Sequence, residues 1–535
     1  MNSVSLVTAN LVTGNLVTAN TPIVVSPATP AVPLNEDKTP VTPTSSPASV
    51  VILGQDVTIP NATTYTSLGA LNNPNPVYTL EQNVSNPLAK ILTGNMPSAS
   101  TAGRFQGLGA ALLQQLAEDG SSKISQSVIR SAVGDVQNAA ALDLAQTHLH
   151  DKAENRITLT LKTQSGATVT LNLTNTKDGL GVQADVSGGK LSDSEREALG
   201  ALADAFQGAI DGLTAEKPRL NLGALAHLDP DVFTSVELSA RLKLGEDQYQ
   251  TLSFKADEKT KSVEMSGPTG NVQLSVKNNN AILGNAQQQA KAVQSYLEQF
   301  DAAQKRGEGD EDLMALFKDA FSSLQSTTKS LTAPTSGVSL NQVDQAMLTG
   351  LADFSASLTQ TTSNPNPVRP SEVNKFTFNA SQSTEIKGTT DANRSVEQKQ
   401  ATSLNAAYHK SLYPGVALAL GTDPETQNYK YYMIDDEASS TTRVAYNKGE
   451  LVEASSAQSA RQSTTVQTYE LAKLVDTVRT PTEIIESRNL MAMIDAALRN
   501  DRNSRLTTGK STLEEDLKPV HDKVLLQSNP SSIRN

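Results

Sequence analysis

The stretch TDPETQNYKYYMIDDEASS, Thr422 to Ser440, gathers side chains able to hold a ligand. On a strand Tyr429 and Tyr431 share one face and Tyr432 and Ile434 the other, because strand neighbours point to opposite sides. Asp423, Glu425, Asp435, Asp436 and Glu437 stand at the two ends of that strand. Aromatic planes beside carboxylates suit a stacked sugar ring, a cationic partner or a calcium ion. The expected binding residues are therefore Tyr429, Tyr431, Asp423, Asp435, Asp436 and Glu437, with the tyrosine pair facing solvent. The plainer alternative is that tyrosines are good strand residues capped by polar turns.

Other constellations carry less chemistry. His148, His150 and Asp151 could offer nitrogen and oxygen ligands, but the chain has only 5 histidines and no second pair at ligand spacing, so a solvated helix end is expected. TTGKST, Thr507 to Thr512, resembles the end of a phosphate-binding loop, yet Ser504 stands where its first glycine belongs and no apolar strand precedes it. GLGAALLQQL, Gly107 to Leu116, echoes a dinucleotide turn with Leu112 at the third glycine position, and fits a glycine-started amphipathic helix better. His227, His409 and His521 have no local Ser or Asp companion that would argue for a triad. No catalytic residue, metal or cofactor is expected. The polar tract from Thr384 to His409 reads as either a long functional loop or a hydrogen-bonded edge strand.

Composition narrows the classes further. A net charge of -12 without any basic run leaves no electrostatic footprint for nucleic acid or anionic lipid. No window approaches the roughly 18 apolar residues of a spanning helix, so membrane insertion is not expected. The absence of cysteine removes disulfides, thiolate metal sites and cysteine nucleophiles together. With 10 Phe, 11 Tyr and no Trp, the cores must be built mainly from Leu, Val, Ile and Ala.

The elements that would position these residues are legible in places. The opening SLVTANLVTGNLVTANT lacks the basic start and unbroken apolar run of a secretory signal, since Lys38 is the first basic residue. Two copies of the phrase are too few for a pentapeptide-repeat coil. Pro22, Pro27, Pro30, Pro33, Pro40, Pro43, Pro47 and Pro60 follow, and proline at that density blocks helix and ladder alike. A disordered tail over 1–75 is expected, and a second linker over 363–374.

In RITLTLKTQSGATVTLNLT the alternation pairs Ile157 with Leu173, Leu159 with Leu171 and Leu161 with Val169 around Gln164, Ser165 and Gly166. From Val236 to Val276 the same logic gives four strands, with Leu238 opposite Phe254, Phe254 opposite Val263 and Val263 opposite Leu274. Between the two sheets Ser192 and Glu195 form a capping box ahead of the stripe Leu199, Leu202, Ala203, Phe206, Ala209, Ile210 and Leu213. Helices are expected around Val293 to Phe300 and Leu313 to Leu324. In the last third, strands are expected at Tyr429 to Ile434, Thr442 to Tyr446 and Glu450 to Ala454. A helix should carry Leu471, Leu474, Val475 and Val478, and another should open at Thr480, Pro481, Thr482 and Glu483.

The expected fold class is α+β: antiparallel meander sheets, each covered by amphipathic helices, after a disordered N-terminal tail. The expected divisions are a tail (1–75), a helical segment (86–150), a β-meander plus helix module (151–282), a second helical segment (283–362), the linker (363–374) and a C-terminal α+β module (375–535).

The run from Ile157 to Leu244, with VQADVSGGKLSDSEREALGALADAF and LDPDVFTSVELSARL, resembles a family of uncharacterised proteins from pseudomonads and related gammaproteobacteria. TDPETQNYKYYMIDDEASSTTRVAYNKGELVEA resembles a segment of the same group. The resemblance implies a bacterial source and no particular activity. The function expected is that of a non-catalytic interaction protein, surface-associated or exported without a Sec signal peptide, with a protein or glycan partner. The alternative is a cytoplasmic hydrolase-type enzyme whose site is assembled from distant residues, with the acidic cluster around Asp435 as its acid and base.

Overall fold

The computed structural model describes residues 77–82, 84–131, 139–227, 229–278, 280–325 and 338–533. The expected tail over 1–75 lies outside the described residues. The first part of the chain holds β1 (Val77–Leu80), α1 (Pro87–Asn95), α2 (Thr101–Phe105), α3 (Leu108–Asp119), β2 (Lys123–Ser131), α4 (Ala139–Lys152), β3 (Asn155–Thr163), β4 (Thr168–Asn175), β5 (Gly179–Ser187), α5 (Asp193–Ala201) and α6 (Ala203–Thr214). The middle holds β6 (Phe233–Gly245), β7 (Gln248–Asp257), β8 (Thr260–Gly267), β9 (Gly270–Lys277), α7 (Ala286–Gly307), α8 (Glu311–Gln325), α9 (Gln342–Ala346) and β10 (Phe354–Gln360). The last part holds β11 (Lys375–Thr390), β12 (Asn393–Ser411), β13 (Tyr429–Asn447), β14 (Glu450–Glu470), β15 (Lys473–Asn489), α10 (Met491–Thr508), α11 (Leu513–Asp516), α12 (Lys518–Val524) and α13 (Pro530–Ile533).

The fifteen strands of the described residues join one antiparallel sheet in the order β1-β2-β5-β4-β3-β6-β7-β8-β9-β10-β11-β12-β13-β14-β15. The architecture is α+β and rich in strand. Separate meander sheets were expected, and the structure corrects this. β3 pairs with β6, and β10 bridges β9 to β11, so the ladder runs unbroken from the first meander into the C-terminal strands. The expected helical segments 86–150 and 283–362 each contain a strand of this sheet, β2 and β10.

The registers deduced from alternation are those observed. Ile157 faces Leu173, Leu159 faces Leu171, Leu238 faces Phe254, Phe254 faces Val263 and Val263 faces Leu274. Gly166 has a φ of +93°, which the three-residue turn demands of a residue without Cβ. These apolar residues are buried in one cluster with Leu112 of α3, Phe206 of α6 and Phe317 of α8. Each side chain so buried contributes roughly 1.5–3 kcal/mol.

The capping box of Ser192 and Glu195 is formed, and burial-offsetting bonds from Ser165 and the Ser192 backbone hold the Glu195 carboxyl down at about 2. The single helix expected after it breaks at Leu202 into α5 and α6. α6 meets α2 and α3, and both α3 and α4 reach β4 and β5. Farther along, Tyr296 and Phe300 of α7 and Phe317 and Phe321 of α8 interlock with Phe354 and Phe378 at centroid separations of 5.0–6.2 Å. Six of the few aromatic rings thus fasten the helical pair to β10 and β11, mostly edge to face.

Four features of the last third differ from expectation. Tyr429 to Tyr446 is one continuous strand, because β13 finds partners along its whole length in β12 and β14. Thr384 to His409 is neither loop nor edge: it forms the β11–β12 hairpin inside the sheet. Leu474, Val475 and Val478 lie on β15, Leu471 lies in the turn before it, and Thr480 to Glu483 continues β15 where a helix start was expected. Pairing to β14 supplies hydrogen bonds that outweigh a local helical pattern, and Pro481 is tolerated because β15 is an edge strand. Finally, the linker expected over 363–374 is folded against the sheet: Ser363 bridges Asn374, and Asn366 and Glu372 are buried.

Leu159→Asp should lower the unfolding free energy by more than about 4 kcal/mol, since it places an unpaired charge in the cluster. Thr160→Asp, on the other face beside Glu237, should cost under about 1 kcal/mol through like-charge repulsion. Urea denaturation of both variants checks the register, and equal losses would contradict it.

Candidate functional site

The tyrosine strand is buried on both faces. Tyr429 and Tyr431 are 0% and 6% exposed, so the solvent-facing platform expected of them is corrected. The two-face division itself holds: Tyr432 and Ile434 lie with the helix-side cluster, while Tyr429 and Tyr431 cluster with Ala407 and Tyr469. What covers the second face is the folded segment 363–374, some sixty residues upstream, and the loop 412–428 that leads into the strand, whose Leu418 and Leu420 lie against the tyrosines.

At the centre of this cover is Glu372. It accepts the phenolic hydrogens of Tyr429 at 2.5 Å and Tyr469 at 2.9 Å, and an amide hydrogen of Asn366 at 3.3 Å. The stacked rings of Tyr429 and Tyr469 have centroids 4.7 Å apart, and Arg369 sits 4.3 Å over Tyr469 while reaching Glu372 at 3.7 Å. Asn366 also bonds Gln427 and Tyr429. Burial, with Glu372 second, raises the Tyr429 hydroxyl above the usual phenol range and Tyr469 to about 12, so both stay protonated donors.

His409 bonds Asn374 Oδ1 through Nδ1 at 2.8 Å, while its buried Nε2 stands 3.7 Å from Glu372 Oε2 without a hydrogen bond. Burial lowers the His409 pKa, and Glu372 offsets part of that. The arrangement is a closed polar clamp. A carboxylate already filled by two phenols and an amide has little left with which to activate a substrate.

The acidic residues picked from sequence are not brought together. Asp423 precedes the short turn Pro424–Thr426, far along the chain from the strand's middle. Asp435, Asp436 and Glu437 sit in mid-strand, where end positions were expected. Alternation then splits them: Asp435 and Glu437 are exposed and each lies 3.2 Å from Arg461, whereas Asp436 is buried on the helix side and takes a two-pronged ion pair from Arg306 of α7. Asp436 Oδ1 also accepts the Ser463 amide hydrogen at 3.1 Å.

Sequence reasoning missed Glu372, Arg369 and Arg306. The first two stand in a proline-rich stretch that looks like linker. Arg306 had a signal, since it follows Gln299 and Ala303 at seven and three residues on the buried stripe of α7, where a charge needs a partner.

The weaker motifs resolve simply. Gly107 caps α3 with a φ of +69°, Gly509 ends α10 with a φ of +73°, and His150 near the end of α4 lies 3.1 Å from Glu81. Among the described residues no group of His, Cys, Asp and Glu is placed to hold a metal, and no helix is long and apolar enough to cross a membrane. Comparison of the chain with protein-family models, curated proteins and solved structures finds no match.

Replacing both Tyr429 and Tyr431 with Ser should lower stability by about 3 kcal/mol or more, as large-to-small core changes do. A change in urea midpoint too small to resolve would return the pair to solvent. A second expectation concerns pH. Because the folded His409 pKa lies below the unfolded value of about 6.5, the unfolded chain takes up a proton first as pH falls, so stability is full above that value and declines beneath it. His227 and His521 are shifted in the same direction by burial. Urea midpoints between about pH 7.5 and 5 should therefore fall with pH, and His409→Gln should fall less steeply. An unchanged slope would remove His409 from the account.

Proposed function

We propose that the protein is a non-catalytic bacterial interaction protein, exported or surface-associated, that meets a protein partner along the free edge of β15. The observation that carries this is the exposure of the first eleven residues of that strand, Lys473 to Glu483, on both faces. Leu471, Leu474, Val475 and Val478 are each half exposed there, in a sheet whose other apolar residues are mostly buried.

An unpaired edge is a template for an added strand. Pro481 cannot donate a backbone hydrogen bond, so it interrupts the edge and leaves Lys473 to Thr480 as the stretch able to take an extended segment. The charges Lys473, Asp476 and Arg479 alternate in sign along that stretch, which favours a partner segment of mixed charge. In this account the helices serve as the cover of the sheet's apolar face, leaving the opposite face and the edge for contacts. Cysteine-free, acidic composition supports export by association. The competing hydrolase reading has less support: Asp436 is held by Arg306 and Ser463, and Glu372 is filled by its phenols.

A photo-crosslinking residue at Val475 should capture one discrete protein in the producing bacterium, and the capture should be lost in Leu474→Glu/Val478→Glu, whose stability should change by less than about 1 kcal/mol because both sites are exposed. Capture unaffected by that pair places the contact elsewhere. Recovery from the culture supernatant of a wild-type strain but not of an export-deficient one tests the second half, and equal retention in both sinks it.

A further inference from the structure

A cavity of about 230 Å³ lies between α7, the strands β11 to β14 and the chain at Ser528 and Asn529. Its floor is one cross-strand row, Phe378, Leu404, Asp436 and Gln462, followed by the row containing Thr402 and Ala438. Its roof is the α7 stripe of Gln299, Ala302, Ala303 and Arg306. Small side chains face each other across the gap where, one turn earlier, Tyr296 and Phe300 fill it. The space is therefore written into the sequence as alanines on both walls.

Arg306 at its wall has unused capacity, while Gln299 is fixed by the chain. Gln299 donates through Nε2 to the carbonyl oxygens of Leu526 at 3.1 Å and Ser295 at 3.3 Å, which fixes the amide's orientation. Its Oε1 is buried and accepts nothing. Arg306 uses Nε and Nη2 on Asp436 and Thr464, and none of those bonds uses Nη1.

We propose that this cavity binds a neutral, polyhydroxylated molecule of monosaccharide size. At ~30 Å³ per water, the volume holds about seven waters or roughly a dozen non-hydrogen atoms, below the ~300 Å³ at which drug-sized sites begin. Charge selects the class: Arg306 and Asp436 neutralise each other, and the Glu437 carboxylate lies on the other face with Arg461. A net ion would be desolvated without a counter-charge. The wall mixes donors on Arg306 and the amide of Gln462 with the apolar Phe378, Leu404 and Ala303, and a sugar ring matches it with hydroxyls at its rim and C–H groups on its faces. This inference stands apart from the β15 edge and survives its failure.

The test is calorimetric titration of the full-length protein with a panel of free hexoses, N-acetylhexosamines and pentoses up to about 10 mM, with free amino acids as a second panel. At least one sugar should bind saturably and increase hydrogen-exchange protection around Ala302 to Arg306 and Asp436 to Ala438. Ala303→Leu, which fills the cavity, should weaken that sugar at least about tenfold with the melting temperature kept or raised. No saturable binding by any sugar to the wild-type protein overturns the proposal, whether or not the variant folds. Binding unchanged in Ala303→Leu, or saturation by amino acids alone, overturns it too.

Discussion

The placement of strands β11 to β14 depends on a row of buried amides and hydroxyls. Gln382, Gln400, Ser440 and Gln458 stand side by side on β11 to β14, and all four are nearly or wholly buried. Three of them bind backbone that has no strand partner. Gln400 donates to the Val524 carbonyl and accepts from the Leu526 amide, Ser440 donates to Val524, and Gln458 donates to Lys523 and Leu525. Gln382 donates to the Leu351 carbonyl and accepts the hydrogen of the Thr349 hydroxyl. A peptide segment can be buried only if its polar groups are satisfied, and here side chains of the sheet do what a further strand would otherwise do. A register slip by one residue would turn the whole row to solvent and strand the C-terminal backbone without partners.

The same device explains why strands so poor in apolar residues can be roughly 60–70 Å long at ~3.4 Å per residue. Two buried ion pairs add direction to the polar contacts. Arg394 of β12 reaches Asp344 of α9, both almost fully buried, and Arg306 of α7 reaches Asp436 of β13. Burial raises the Asp344 pKa even with Arg394 and the Asn341 amide stabilising its charge, which shows how large the desolvation penalty is there. Such pairs add little net stability, but breaking one leaves an uncompensated charge, so each fixes where its helix can lie on the sheet.

One end of the sheet is closed and the other side open. Glu372 gathers Tyr429, Tyr469 and Asn366 into a clamp that draws the proline-rich segment 363–374 and the loop 412–428 onto the sheet. Beside it the turn into β15 places Leu471 and Ala472 at φ values of +46° and +64°, a conformation that L residues adopt at a cost. Asn428 Oδ1 accepts from the Leu471 amide, the Gln427 carbonyl accepts from the Ala472 amide, and Arg369 donates to the Ala472 carbonyl, which offsets the strain. The apolar turn is thus fastened by three bonds to its backbone although the Leu471 side chain faces solvent.

Sequence alone determined what local periodicity can encode. The hairpin around Gly166 and the meander from Val236 to Val276 were legible to the residue, because one apolar face and tight turns leave a single register. The opposite facing of Tyr429 and Tyr432 was legible for the same reason. Tertiary structure alone decided that neither of those faces is wet, since Glu372 and Leu418 arrive from stretches that carry no period of their own. It also decided β15. Leu471, Leu474, Val475 and Val478 have helical spacing, and a strand exposed on both faces has no burial alternation to betray it, so only the presence of β14 alongside selects the extended form. The pairing of Arg306 with Asp436, 130 residues apart, and the cavity beside it were equally out of reach, because complementarity between a helix stripe and a strand row exists only once both are placed.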